Sequence, residues 1–150
     1  MAQIIDPKSI KTICLVSCGS KKTDHPIEAQ SLYRSLHFRL KRQYAEKYAQ
    51  SWYILSAKYH LLAPNRVIPP YNSTLKDFSP IEKAEWGKDV SKRLDAILAP
   101  GDKLIILAGN DYLRPLMPLL TKYVIDLPLQ GRGGIGYQNQ WLKSQLTGES

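Results

Sequence analysis

Apolar positions along the chain fall into short continuous runs separated by longer stretches in which they recur at helical spacing. The first run lies within Lys11–Ser17 and is unbroken over Ile13, Cys14, Leu15 and Val16, as in a strand covered on both faces. Ser51–Ala57 (SWYILSA) and Lys103–Ala108 (KLIILA) repeat the pattern, and Tyr123–Leu127 (YVIDL) is a fourth, shorter strand. Between them, Ile27–Leu32 predicts a short helical turn. Ser35–Ala49 predicts a helix with Ser35 as N-cap and an apolar face of Leu36, Leu40, Tyr44 and Tyr48. Ser79-Pro80 opens a helix reaching about Leu98, with Glu82 and Glu85 near its positive end and Ile81, Ala84, Val90, Leu94, Ile97 and Leu98 as its apolar positions. Pro115–Leu120 and Tyr137–Leu146 complete the helices. Residues 63–79 carry three prolines and read as a long surface excursion, residues 1–10 as a lead-in with a turn at Asp6-Pro7, and 147–150 as a tail.

Strands that alternate with helices predict an α/β fold: one three-layer domain over residues 1–150, a mostly parallel four-stranded sheet with helices on both faces. Parallel crossovers carry the carboxyl ends of all the strands to one edge, and ligands of open α/β sheets bind beyond that edge. Each predicted strand ends in a polar or glycine-rich segment. These are Ser17-Cys18-Gly19-Ser20-Lys21-Lys22, Ser56-Ala57-Lys58-Tyr59-His60, Gly109-Asn110-Asp111-Tyr112 and the loop Gly131–Gly136. The topology therefore predicts that the four segments converge.

Composition narrows the classes. The hydrophobic fraction of 43% with 23% charged residues is that of an ordinary globular protein, and no apolar stretch approaches a membrane span. The amino terminus lacks the basic-then-apolar pattern of a signal peptide. Cys14 and Cys18 lie on one strand at a separation too long for easy pairing, so the expectation is two free thiols in a cytoplasmic setting. A net charge of +8 fits a polyanionic partner, nucleic acid or nucleotide.

The chemistry centres on the first segment. Cys18, beyond a strand end beside backbone N–H groups and Lys21 or Lys22, has the setting of a nucleophile; the same position also suits a small inert residue that lets the loop turn. Gly19-Ser20-Lys21-Lys22 resembles an anion nest without the spacing of a P-loop, which argues against ATP hydrolysis. Lys58 can position an anion or act as a base, or can simply be solvated. Tyr71 can stack on a flat base or pin its loop to the core, and Asn110 and Tyr112 can read a base edge or cap a helix. His25, His37 and His60 show no ligand spacing with Cys18, so neither a metal nor another cofactor is expected. The glycine-rich loop is not a dinucleotide fingerprint and suits close approach of backbone to a ligand. Trp52, Trp86 and Trp141 are expected in the core.

The set Cys18-Gly19-Ser20-Lys21-Lys22, Leu32-Tyr33-Arg34-Ser35 with Phe38, Tyr53 through Leu62, Pro70-Tyr71, Ala108-Gly109 with Tyr112, and Pro128-Leu129 with Gly131 through Trp141 resembles a family of small bacterial and phage domains of largely unassigned function. That family is similar to the YaaA peroxide-stress proteins and, more remotely, to the core domain of archaeosine synthase. The resemblance implies deazaguanine chemistry: an enzyme acting on a modified purine of the cyano-deazaguanine type, free or in nucleic acid, with possible help from a partner modification enzyme. Cys18 would attack the electrophilic carbon, Gly19, Ser20 and Lys21 would stabilise developing charge, and Lys58 and His60 would move protons. Ser17, Ser35, Ser56, Tyr71, Gly109, Asn110 and Tyr112 would bind the substrate. Two other readings stand beside it. One is a non-catalytic DNA-binding or stress-response module whose Arg39, Lys41 and Arg42 contact phosphates; the other is a nucleotide or nucleoside hydrolase.

Overall fold

A computed structural model describes residues 10–19 and 22–148; the lead-in turn at Asp6-Pro7, Ser20 and Lys21 lie outside the described residues. The sheet is built on β1 (Thr12–Ser17), which pairs in parallel with β3 (Ser51–Ser56) on one side and β6 (Lys103–Leu107) on the other. β7 (Val124–Asp126) extends the β6 side in parallel, and β4 (His60–Leu62) closes the other edge antiparallel to β3. Among the described residues the sheet thus has five strands in the order β4-β3-β1-β6-β7, not four. The added strand is three residues long, too short to show a period, and follows β3 through a tight turn in which His60 takes a positive φ of 65°.

The expected surface excursion and the turn before it supply a second, two-stranded sheet. β2 (Ile27–Glu28) pairs antiparallel with β5 (Val67–Ile68) and leads into α1 (Ala29–Leu32). Residues 63–79 therefore do not stand away from the domain: Ile68, Tyr71 and Leu75 are buried in it.

Alternate residues of β1 serve opposite faces, as the pleat requires. Cys14 and Val16 pack with α2 (Leu36–Tyr48) and α5 (Ile135–Leu146), whereas Ile13 and Leu15 pack with α3 (Pro80–Asp95) and α4 (Asn110–Leu116). Ser79 caps α3 with a complete capping box to Glu82. Gly87 of α3 lies against α4 so closely that a Cβ would stand 2.5 Å from the Pro115 carbonyl oxygen. Trp52 and Trp86 are buried, and Trp141 is half-buried against Tyr44.

Two helix faces differ from the periodic expectation. In α2 the buried residues are Phe38, Leu40, Lys41, Tyr44 and Ala45, while Leu36 and Tyr48 are exposed. In α3 Trp86, Gly87, Val90, Ser91 and Leu94 face inward and Ile81 is 72% exposed. The cause is the same in both: a pattern that counts lysine, glycine and serine as outward rotates the apparent apolar face away from the true one.

Candidate functional site

The chain leaves β1 through α2 on one face to reach β3, and later crosses through α3 to β6 on the other side of β1. The carboxyl ends of β1 and β6 therefore diverge from their connections, the position at which doubly wound sheets open a crevice. A cavity of about 780 Å³ occupies it. Its floor is Ser17, Cys18 and Gly19 after β1 with Ala108 and Gly109 after β6; the first turns of α2 and α5 and the Gln130–Gly133 loop form the walls. This volume is within the range of small-molecule sites.

Cys18 is the thiol of that floor. Its backbone N–H continues the β ladder to the Leu55 carbonyl (3.1 Å), so that amide is not free to bind a ligand. Its Sγ lies 3.2 Å from the Tyr112 hydroxyl. Nearby in the same half of the core, the Tyr71 hydroxyl joins Tyr33 (2.5 Å) and Ser56 Oγ (2.8 Å). Burial, before any other cause, pushes the phenols of Tyr33, Tyr71 and Tyr112 well up, so all three remain protonated donors. Cys14, four residues earlier on β1, is fully buried; burial pushes its thiol up and leaves it inert. Both cysteines are free thiols.

Two lysines line the cavity, Lys76 from the loop before α3 and Lys41 from α2, and Lys41 is the buried one. Lys41 is 4% exposed and lines the cavity, its Nζ donating to Ser17 Oγ (2.8 Å) and to the Ser17 carbonyl (3.2 Å). Burial lowers its pKa to about 8, and the charges of Cys18 and Cys14 act against that shift. No carboxylate forms an ion pair with it among the described residues. One helical turn earlier, His37 also lines the cavity, with Nδ1 2.7 Å from Asn139 Oδ1 on α5. Burial and then the Lys41 charge lower its pKa, which keeps the imidazole neutral near pH 7.

The residues singled out in the sequence divide into three groups. Ser17, Cys18, Gly19, Ser35, Gly109 and Asn110 line the cavity, and Tyr112 reaches it through the Cys18 sulfur. Ser20 and Lys21 lie outside the described residues. Ser56, Lys58, His60 and Tyr71 do not line it. Ser56 Oγ instead accepts the Lys58 and Tyr59 N–H groups of the β3–β4 turn. Lys58 is exposed over the Tyr59 ring, and His60 pairs with Asp89 of α3 at 2.5 Å, which holds that carboxyl below its usual range. Tyr71 is 9% exposed with its hydroxyl engaged, so it pins its loop rather than offering a face for stacking. Ser35 caps α2 by accepting from Phe38 N–H (3.1 Å).

Lys41, His37 and Asn139 were the residues that sequence reasoning missed. Lys41, expected beside Arg39 and Arg42 as a phosphate contact, is internal, and Arg42 is tied to Glu46 and the Gln30 carbonyl. The available signal was the spacing of Phe38, Lys41 and Ala45, which places the lysine on the buried stripe. His37 and Asn139 are 102 residues apart and no local pattern joins them. Among the described residues no group of three or more His, Cys, Asp or Glu side chains has the arrangement of a metal site.

Comparison with known proteins adds two findings. The model of the family of unknown function DUF6884 matches residues 13–144. An uncharacterized Bacillus subtilis (strain 168) protein, YfjM, is 26% identical over 142 residues, covering 89% of this chain and 93% of that one.

Proposed function

The chain belongs to the family of unknown function DUF6884, and from that premise we propose that it is an enzyme acting on a modified purine of the cyano-deazaguanine type, free or carried in nucleic acid. The observation that supports this reading is that a thiol, Cys18, and a buried ammonium, Lys41, line the same cavity, which is of purine-accommodating size. The nitrile substrate is suggested by the resemblance of the CGSKK and ILSAKYHLL segments to a family of small domains that is itself similar, remotely, to the archaeosine synthase core. Leu127, Leu129 and Ile106 offer apolar contact for a flat ring, and the side-chain amides of Asn110, Gln130 and Gln138 offer donors and acceptors for its edges.

In the proposed reaction Cys18 Sγ adds to the nitrile carbon. A carbon–sulfur bond forms, one carbon–nitrogen π bond opens, and the thiol proton ends on the nitrile nitrogen, giving a thioimidate. Water or an amine then adds to that carbon and expels the thiol, leaving an amide or an amidine. The Lys41 ammonium, fixed by Ser17 and shielded from water, stabilises the negative charge that builds on the nitrogen. A cytoplasmic setting keeps the thiol reduced, and a base already in nucleic acid would be delivered by a partner modification enzyme.

The test is incubation of the protein with cyano-deazaguanine, followed by mass spectrometry of protein and base. The expected result is a Cys18 adduct and a converted base in the wild type, with neither in Cys18→Ala or Cys18→Ser. Full turnover by either variant rules out the covalent mechanism. Salt-sensitive DNA binding indifferent to Cys18, without turnover, would support the binding-module reading instead.

A further inference from the structure

Cys18 as a nucleophile needs a group to receive its proton, and neither Lys58 nor His60, the sequence candidates for proton transfer, lines the cavity. His37 does. The loop carrying Cys18 is held against the start of α2 from both sides. On one side Lys41, one turn after His37, bonds Ser17, the residue before the thiol. On the other, Gly19, the residue after it, lies so close to the helix that a Cβ there would stand 3.3 Å from Ser35 Oγ and 3.8 Å from Phe38 Cβ, the residues flanking Leu36 and His37. The third component comes from α5, where Asn139 Oδ1 meets His37 Nδ1 at 2.7 Å.

Resting on the reading of Cys18 as nucleophile, we propose that His37 is the general base that takes the Cys18 proton and that Asn139 is the residue that positions it. An amide oxygen can only accept, so Nδ1 carries the imidazole hydrogen and Nε2 is left with its lone pair free. In the addition step the proton leaves sulfur for Nε2 and is passed to the nitrile nitrogen as the carbon–sulfur bond forms, so His37 ends the step neutral. In the second step Nε2 takes a proton from the attacking water or amine and returns it to the departing sulfur. A thiol, a base and an amide that orients the base form the general logic of activated-thiol catalysis. Here they come from the end of a strand and from two different helices.

Alkylation of the whole protein by iodoacetamide at pH 7, read by mass spectrometry at each cysteine with fully buried Cys14 as internal control, tests this assignment. His37→Ala, and His37→Gln should the smaller side chain unfold the protein, should slow Cys18 alkylation by at least about 10-fold. Added imidazole should restore the rate in His37→Ala. Asn139→Ala should also slow it, whereas Asn139→Asp, which keeps the acceptor, should stay near the wild-type rate. If folded His37 variants alkylate as fast as wild type, the assignment is overturned whatever the substrate. If alkylation slows as expected and the wild type forms no nitrile adduct, the purine reading fails and the His37 assignment stands.

Discussion

The ends of β1 and β3 look alike in sequence and differ in what the fold does with them. Both strands stop at a serine and run into small and basic residues, Ser17-Cys18-Gly19 in one case and Ser56-Ala57-Lys58 in the other. After β3 the chain turns straight back as β4, and the serine, the two turn amides and the histidine beside it are all hydrogen-bonded within the domain. Ser56 Oγ binds two backbone amides and the Tyr71 hydroxyl, Trp86 Nε1 donates to the Ser56 carbonyl, and His60 meets Asp89. After β1, by contrast, the strand is central and the crossovers leave in different directions. Its serine is held by a buried ammonium that has no carboxylate counter-charge among the described residues, beside a thiol and an open cavity. A closed set of hydrogen bonds stabilises a turn. A buried charge facing a cavity is costly to the fold, and such costs are concentrated at functional sites.

That contrast can be broken most directly at the thiol. Cys18→Ser should abolish adduct formation with a nitrile substrate, while Ser56→Ala should leave turnover per folded molecule unchanged; mass spectrometry and steady-state assays on the two variants separate the two strand ends. Lys41→Met should lower turnover by about 10²–10³-fold, the range for loss of one preorganised charge-stabilising donor. The same variant tests the cost to the fold. Lys41 in the folded protein titrates near 8 rather than at the ordinary 10.5, so between those values the unfolded chain binds more protons and raising the pH stabilises the wild type. Lys41→Met lacks that gain. Its stability relative to wild type should be highest below pH 8 and should fall by on the order of 3 kcal/mol by pH 10.5 in denaturant titrations.

Smaller effects belong to the closed turn. Ser56→Ala leaves the Lys58 and Tyr59 amides without their acceptor and should cost about 1–3 kcal/mol of stability by denaturant unfolding. Lys58→Ala, at an exposed side chain, should shift stability by no more than about 0.5 kcal/mol and leave turnover alone. A large catalytic defect in Lys58→Ala would mean that the two strand ends act on one substrate after all.

The periodicity of the chain was enough to identify the central strands, the two long amphipathic helices and the convergence of polar segments after β1 and β6. Those features depend on residues close together in sequence: continuous apolar runs, a serine cap, a capping box. The site was only half legible for the complementary reason. Ser17, Cys18, Gly19, Gly109 and Asn110 line the cavity and stand at or just beyond strand ends, which the sequence shows, but Ser56, Lys58 and His60 share that description and lie elsewhere. Nothing local distinguishes a strand end that opens on a cavity from one that folds back within three residues. Tertiary structure decided that, by giving β3 an antiparallel neighbour and leaving β1 between two diverging crossovers. It also decided that Lys41 is internal and that His37 and Asn139 meet across 102 residues of chain. Burial and long-range contact are properties of the packed layers, and a one-dimensional pattern that counts every lysine and histidine as solvent-facing cannot carry them.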